Sequence, residues 1–172
     1  MKTLVLFSSA DHQGNTAKVL ERVASLATLE IINIDKLTIT PYNYPNQYPA
    51  DDFYGLVERM LAADNLMFAS PNYWHAPTAP MKALMDRITE LTDVEKLKPK
   101  GRALAGKNGL VLTSSSGRDI CPIFDQIFTM FFRYFDIHYS GKLNADCRDG
   151  IELDQHELER FIAQLKTHNL SG

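Results

Sequence analysis

The chain has 172 residues, 45% of them hydrophobic and 23% charged, with a formal net charge of −3. That length supports one well-buried core rather than two comfortable domains, so residues 1–172 read as a single domain. The charge balance, with no Lys/Arg cluster, speaks against a nucleic-acid surface, and no apolar run approaches the roughly 18 residues of a membrane span.

Two periodicities alternate along the chain. Thr3 to Phe7 (TLVLF) predicts a strand, and Leu20, Val23, Ala24 and Ala27 then keep helical spacing. Glu30 to Ile34 (EIINI) predicts the second strand, and a Pro/Tyr-rich stretch runs from Thr40 to Ala50. Phe53, Leu56, Val57 and Met60 mark the second helix. Leu66 to Ala69 is strand-like and is stopped by Pro71. Met81, Leu84, Met85, Ile88 and Leu91 form a helical stripe, with Pro80 suited to the first turn and Thr78 to the cap. Asp93 to Asn108 reads as a polar connection. Gly109 to Thr113 (GLVLT) predicts the fourth strand, Ile120 to Tyr134 a phenylalanine-rich helix, and Asp136 to Leu143 a mixed strand. Asp154 is placed to cap the last helix, with Leu153 and Leu158 spaced for a hydrophobic staple.

Strands alternating with helices predict a parallel sheet covered on both faces, because each parallel crossover needs a helix to return. TLVLF, LMFA and GLVLT are nearly uninterrupted apolar runs, as in strands buried on both sides. EIINI carries Asn33, and the fifth strand carries His138, Ser140 and Lys142, so these two read as edges. Right-handed crossovers then give the doubly wound order 2-1-3-4-5.

Such sheets bind ligands beyond the carboxyl ends of their strands, where strand order reverses. Three loops meet that description. Ser8 to Thr16 combines hydroxyls, a glycine and a helix start, which suits a phosphate and equally suits a capped turn. It lacks the Gly-Lys-Ser/Thr ending of a nucleoside-triphosphate loop. Ser70 to Pro80 holds the single tryptophan beside Tyr73; its aromatics suit a planar ring or a Pro-rich turn packed on the fold. Ser114-Ser115-Ser116-Gly117 offers hydroxyls and a flexible backbone, and is also ordinary turn material.

Ser8–Ser9 through Gly14-Asn15-Thr16-Ala17-Lys18, then Ser70-Pro71-Asn72-Tyr73 and Pro80-Met81-Lys82-Ala83-Leu84-Met85-Asp86-Arg87, resembles the flavodoxin-like NAD(P)H-dependent FMN reductase and quinone reductase family. The resemblance extends from Met1 to about Leu143. It implies a three-layer α/β sandwich with a five-stranded parallel sheet, FMN as cofactor and NAD(P)H as reductant. It assigns Ser9, Gly14, Asn15 and Thr16 to the FMN phosphate, Pro71, Asn72, Tyr73 and Trp74 to the isoalloxazine, and Ser114, Ser115 and Gly117 to its polar edge. The chain departs from many relatives in carrying Asp11-His12 where they place an arginine. It has no clustered cysteine motif for an iron–sulfur centre.

The remaining polar residues have plain and functional readings. Asp86 and Arg87 read as structural charges near a helix end. His75 and Arg118 are candidates for the substrate side, each with a solvated-loop alternative. Tyr42, Tyr44 and Tyr48 could drape over the ligand pocket or wrap the sheet edge stiffly. The phenylalanines from Phe124 to Phe135 exceed one helical stripe, so part of them predicts core and part an oligomer face. Cys121 and Cys147 read as buried or inert thiols, and nothing has metal-ligand spacing.

No catalytic acid–base constellation is identified. That suits a flavin enzyme, whose cofactor carries the hydride at N5 while the protein supplies orientation and hydrogen bonds. The resemblance implies a backbone N–H near Asn72-Tyr73 steering N5, and amides of the Ser114–Gly117 loop stabilising charge on the reduced ring. The function expected is an oxidoreductase for a quinone, flavin, nitro or azo acceptor. A single-electron flavodoxin and a flavin-free regulatory domain are the alternatives. A cytoplasmic homodimer or homotetramer is expected.

Overall fold

Three uninterrupted apolar runs make the centre of one parallel sheet. The computed structural model describes residues 1–166. Its strands are β1 (Thr3–Phe7), β2 (Glu30–Asn33), β3 (Asn65–Ala69), β4 (Asn108–Ser115) and β5 (His138–Asp146). All neighbours pair in parallel, in the order β2-β1-β3-β4-β5. Every residue of β1 and β3 is buried, whereas β2 and the first half of β5 are partly open. The sheet is thus the doubly wound one predicted, with the polar strands at its edges.

Alternation of side chains builds a core on each face. Leu4, Leu6, Leu66, Phe68 and Val111 face α2 (Phe53–Leu61), α3 (Ala79–Arg87) and α6 (Pro122–Tyr134). Val5, Phe7, Met67, Leu110, Leu112 and Leu143 face α1 (Asn15–Ala24) and α7 (Gln155–Gln164). Thr78 caps α3 by accepting the Met81 N–H, and Asp154 caps α7 by accepting from His156 and Glu157. Leu158 is buried and Leu153 packs against the same cluster, as the staple requires.

Four boundaries differ from the sequence expectation. Ile34 leaves β2 for a 3-10 turn, Ile34–Lys36, because the Asn33 side chain accepts the Asp35 N–H. The apolar stripe through Leu91 is not one helix: α3 ends at Arg87, and Leu91 belongs to α4 (Glu90–Asp93). The polar connection 93–108 folds into a 3-10 turn, Glu95–Leu97, and α5 (Lys98–Arg102). Buried Leu97 and Leu104 hold it down, and Gly101 packs so closely that a Cβ there would sit 2.8 Å from Leu91 O. Finally, β4 and β5 run past Thr113 and Leu143, because Ser114 and Ser115 find ladder partners in Ala145 and Asp146.

The phenylalanines of α6 are core. Phe124, Phe128, Phe132 and Phe135 are buried against Phe68 and its neighbours. The exposed apolar residues are instead Ile123, Met130 and Tyr134, which with half-buried Ile127 lie at i, i+4, i+7, i+11 along one side of the helix.

Candidate functional site

The carboxyl ends of β1, β3 and β4 bring the three loops into contact. Gly14 caps α1 without a side-chain bond, and the first N–H groups of that helix have no intrahelical acceptor. That is the arrangement which receives a phosphate. Gly14 is confined: a Cβ there would lie 3.1–3.2 Å from Asp11 atoms. Asn15 is exposed at the first helical position. Thr16 is buried, and its Oγ1 lies 2.7 Å from Ser114 Oγ. Asn72 N–H donates to Ser114 O at 3.1 Å. Ser114 is therefore where all three loops meet.

Asn144, which the sequence reading passed over, holds the third loop. Its Nδ2 donates to Gly117 O at 2.8 Å and to Arg118 O at 3.0 Å, and its Oδ1 lies 3.1 Å from Ser115 Oγ. Two polar atoms at these strand ends are buried without a hydrogen-bond partner, Asn72 Oδ1 and Thr113 Oγ1. Orphaned buried polar atoms are costly, and a ring with polar heteroatoms would satisfy them.

The second loop differs from expectation. Pro71 is buried and Asn72 half-buried, but the Asn72 N–H goes to Ser114 and the Tyr73 N–H to Ala76 O at 2.9 Å. Neither amide is free to steer a ring nitrogen. Tyr73 and Ala76 exchange both N–H···O bonds, and between them Trp74 and His75 both take positive φ, 49° and 67°. Two positive φ values mark a type I′ turn, normally built from Asn and Gly. Trp74 is left 95% exposed.

A second polar cluster flanks the first loop. Asp35 Oδ1 accepts from Ser8 Oγ at 2.6 Å, and its Oδ2 accepts from the Ser9 N–H at 2.9 Å and lies 3.0 Å from His12 Nε2. Ser8 Oγ also bonds Thr78 Oγ1. Asp35 thus ties β1, β2 and the start of α3 together on the rim of a cleft of about 460 Å³ that Tyr73 also lines. Ser8 and His12 both reach the carboxylate and are not joined through it in series, so this is no nucleophilic triad. Its signal in the sequence was an acidic residue directly after an edge strand.

The family model for NADPH-dependent FMN reductases matches residues 1–142. The chain belongs to that family. Among solved structures it is similar to the Trp repressor binding protein from Bacillus subtilis, at 20% identity and TM-score 0.67 over 96% of each chain. It is also similar to an NADPH-quinone reductase from P. pentosaceus, at 15% identity and TM-score 0.64 over the whole of both. A third is an FMN-dependent NADH-azoreductase from Bacillus anthracis in complex with FMN, at 14% identity and TM-score 0.63 over 96% of this chain and 97% of that one. These likenesses show a shared fold. No curated protein matches the chain in sequence.

Membership makes the chain an NAD(P)H-dependent FMN reductase, an enzyme whose cofactor is FMN. The three-loop site fits that cofactor: a helix start for the phosphate, an exposed indole for the ring, and unpartnered polar atoms at the strand ends. The one carboxylate in the first loop before the start of α1 is that of Asp11. Its Oδ1 accepts the Gln13 N–H at 2.9 Å, so the carboxylate folds back onto the loop. Asp11→Asn keeps that bond and removes the charge. FMN affinity is then expected to rise several-fold, equivalent to about 1 kcal/mol of relieved like-charge repulsion near a surface, with riboflavin affinity unchanged. Fluorescence titration with both flavins checks this; an unchanged FMN affinity would turn the carboxylate away from the phosphate.

The two substrate-side candidates part company. Arg118 is exposed on the rim of a cleft of about 680 Å³ along the free edge of β5, with Lys142 and Arg160. His75 is not a solitary loop histidine, since its Nδ1 lies 3.1 Å from Cys121 Sγ. Cys121, expected as a buried or inert thiol, is half-buried beside an imidazole. Partial burial pushes the thiol up, but the nearby N–H groups of Phe124 and Ile123 at the helix start and the His75 imidazole outweigh that and hold it below the ordinary thiol value. Cys147 behaves as expected: burial and the charge of Asp146 push its thiol up. Among the described residues no three His, Cys, Asp or Glu gather to hold a metal, and no helix is long and apolar enough to cross a membrane.

Proposed function

We propose that this FMN reductase passes hydride from NAD(P)H to a planar, conjugated acceptor: a quinone, a free flavin, or a nitro or azo compound. Ser9, Gly14, Asn15 and Thr16 hold the FMN phosphate; Pro71, Asn72, Tyr73 and Trp74 lie along the ring, and Ser114, Ser115 and Gly117 along its polar edge. FMN, when bound, supplies the hydride chemistry at N5. The protein's part is to fix the ring and keep one face open for nicotinamide and acceptor in turn. The observation that carries this reading is Trp74, an indole 95% exposed on a positive-φ turn beside the three joined loops.

The test is anaerobic reduction. FMN-loaded protein mixed with NADH or NADPH is expected to lose its visible flavin band within minutes and to regain it when a quinone is added. If neither nucleotide bleaches the flavin, a flavodoxin-type electron carrier takes the place of the reductase.

The association state proposed is a homodimer or homotetramer, of a chain serving as one domain in the cytoplasm, where its two free thiols stay reduced. The core phenylalanines no longer support it; the stripe of Ile123, Ile127, Met130 and Tyr134 does. Met130→Lys puts a charge in that stripe and is expected to yield a monomer with the fold intact. Light scattering at micromolar concentration decides it, and a monomeric wild type would make the stripe ordinary surface.

A further inference from the structure

Cys121 and His75 come from loops 46 residues apart, and they meet beside the turn that presents Trp74. Cys121 is the N-cap of α6, a helix of thirteen residues, and so stands at a helix start whose first N–H groups have no intrahelical acceptor. The start of a helix favours a negative charge, and a thiolate beside an imidazole is the nucleophilic form of cysteine. Asp125, one turn in, does not oppose that charge directly: its N–H donates to Cys121 O, and its carboxylate is engaged by Tyr139 and Lys142. Both residues of the pair reach solvent: Cys121 is half-buried and His75 exposed. The indole next to His75 has almost no protein covering it.

The geometry points to Cys121 as an activated thiol that conjugated electrophiles of the quinone class alkylate, with His75 handling its proton and the exposed Trp74 ring stacking the incoming quinoid plane. The imidazole takes the thiol proton. A sulfur electron pair forms the C–S bond to a ring carbon, the C=C pair it displaces moves to the carbonyl oxygen, and the proton on His75 ends on that oxygen. Loss of the ring proton at the substituted carbon, with protonation of the second oxygen, leaves a hydroquinone thioether. The ring is reduced by the sulfur pair that becomes the bond, so no outside oxidant or reductant enters.

The proposal rests on the acceptor reading only in naming quinones. Alkylation is read by mass and turnover by flavin bleaching, so either can fail alone. Full-length protein is treated briefly with 1,4-benzoquinone, and separately with N-ethylmaleimide. Excess small thiol quenches the reaction, and adducts on the two cysteine peptides are quantified. Cys121 is expected to react about tenfold or more faster than Cys147, a half-buried thiol with no imidazole partner among the described contacts. His75→Ala is expected to slow Cys121 about fivefold while leaving Cys147 unchanged. The Cys147 rate also reports folding, since an unfolded variant would speed it up; His75→Gln then serves as the second variant. Equal rates for the two wild-type thiols, or a Cys121 rate within about twofold of wild type in a folded His75 variant, would overturn the proposal.

Discussion

Arg87→Ala is expected to destabilise the fold by about 3–5 kcal/mol, the scale on which a buried charge left without its partner is felt. Arg87 is fully buried. Its Nη1 bonds the equally buried Glu90, its Nη2 lies 3.8 Å from Asp51, and its guanidinium carbon sits 3.2 Å from the centre of the Tyr48 ring and 4.2 Å from that of Phe53. Alanine strands the Glu90 carboxylate, which keeps only Tyr54 Oη at 2.6 Å, and releases the Tyr/Pro segment that Tyr48 anchors. Urea unfolding should show a lower midpoint at unchanged slope. A double change, Arg87→Met with Glu90→Gln, should recover part of the loss because it leaves no orphaned charge. Burial alone would raise Asp51, but N–H bonds from Thr40 and Phe53 and the charge of Arg87 hold its carboxyl below the ordinary value. Its stabilisation is therefore present above the usual carboxylate range and is lost as pH falls through the lowered value. A loss under about 1 kcal/mol in Arg87→Ala would show the cluster to be replaceable.

Trp74→Ala is expected to slow flavin reduction or reoxidation by about tenfold or more, while changing FMN affinity by less than about threefold. The indole covers almost none of its own protein, and holding a bulky L-residue at positive φ costs roughly 1–2 kcal/mol. Backbone strain without packing clusters at functional positions, and stacking a ligand is the role proposed for this one. Stopped-flow traces with NAD(P)H and with a quinone, set beside a flavin titration, separate the two effects. Equal rates in both half-reactions would remove Trp74 from the acceptor face and leave it a binding-loop ornament.

Local patterning was readable wherever its cause was local. The three apolar runs fixed the buried strands, and the polar residues of β2 and β5 fixed the edges, because burial on two faces or one leaves a direct mark on composition. Thr78 and Asp154 were legible as caps for the same reason, since each bonds N–H groups two or three residues away. The loops beyond β1, β3 and β4 followed from that strand order. What only the tertiary structure decided were partnerships across long separations. Asn144 reaches back to Gly117, Asp35 gathers Ser8, Ser9 and His12, and Cys121 meets His75. Each depends on which strand ends lie side by side, which no local window contains. Arg87 looked like an ordinary helix-end charge until the Tyr48 segment folded over it. The turn at Trp74-His75 was hidden because neither residue favours positive φ; there the backbone follows the bonds between Tyr73 and Ala76 against local preference.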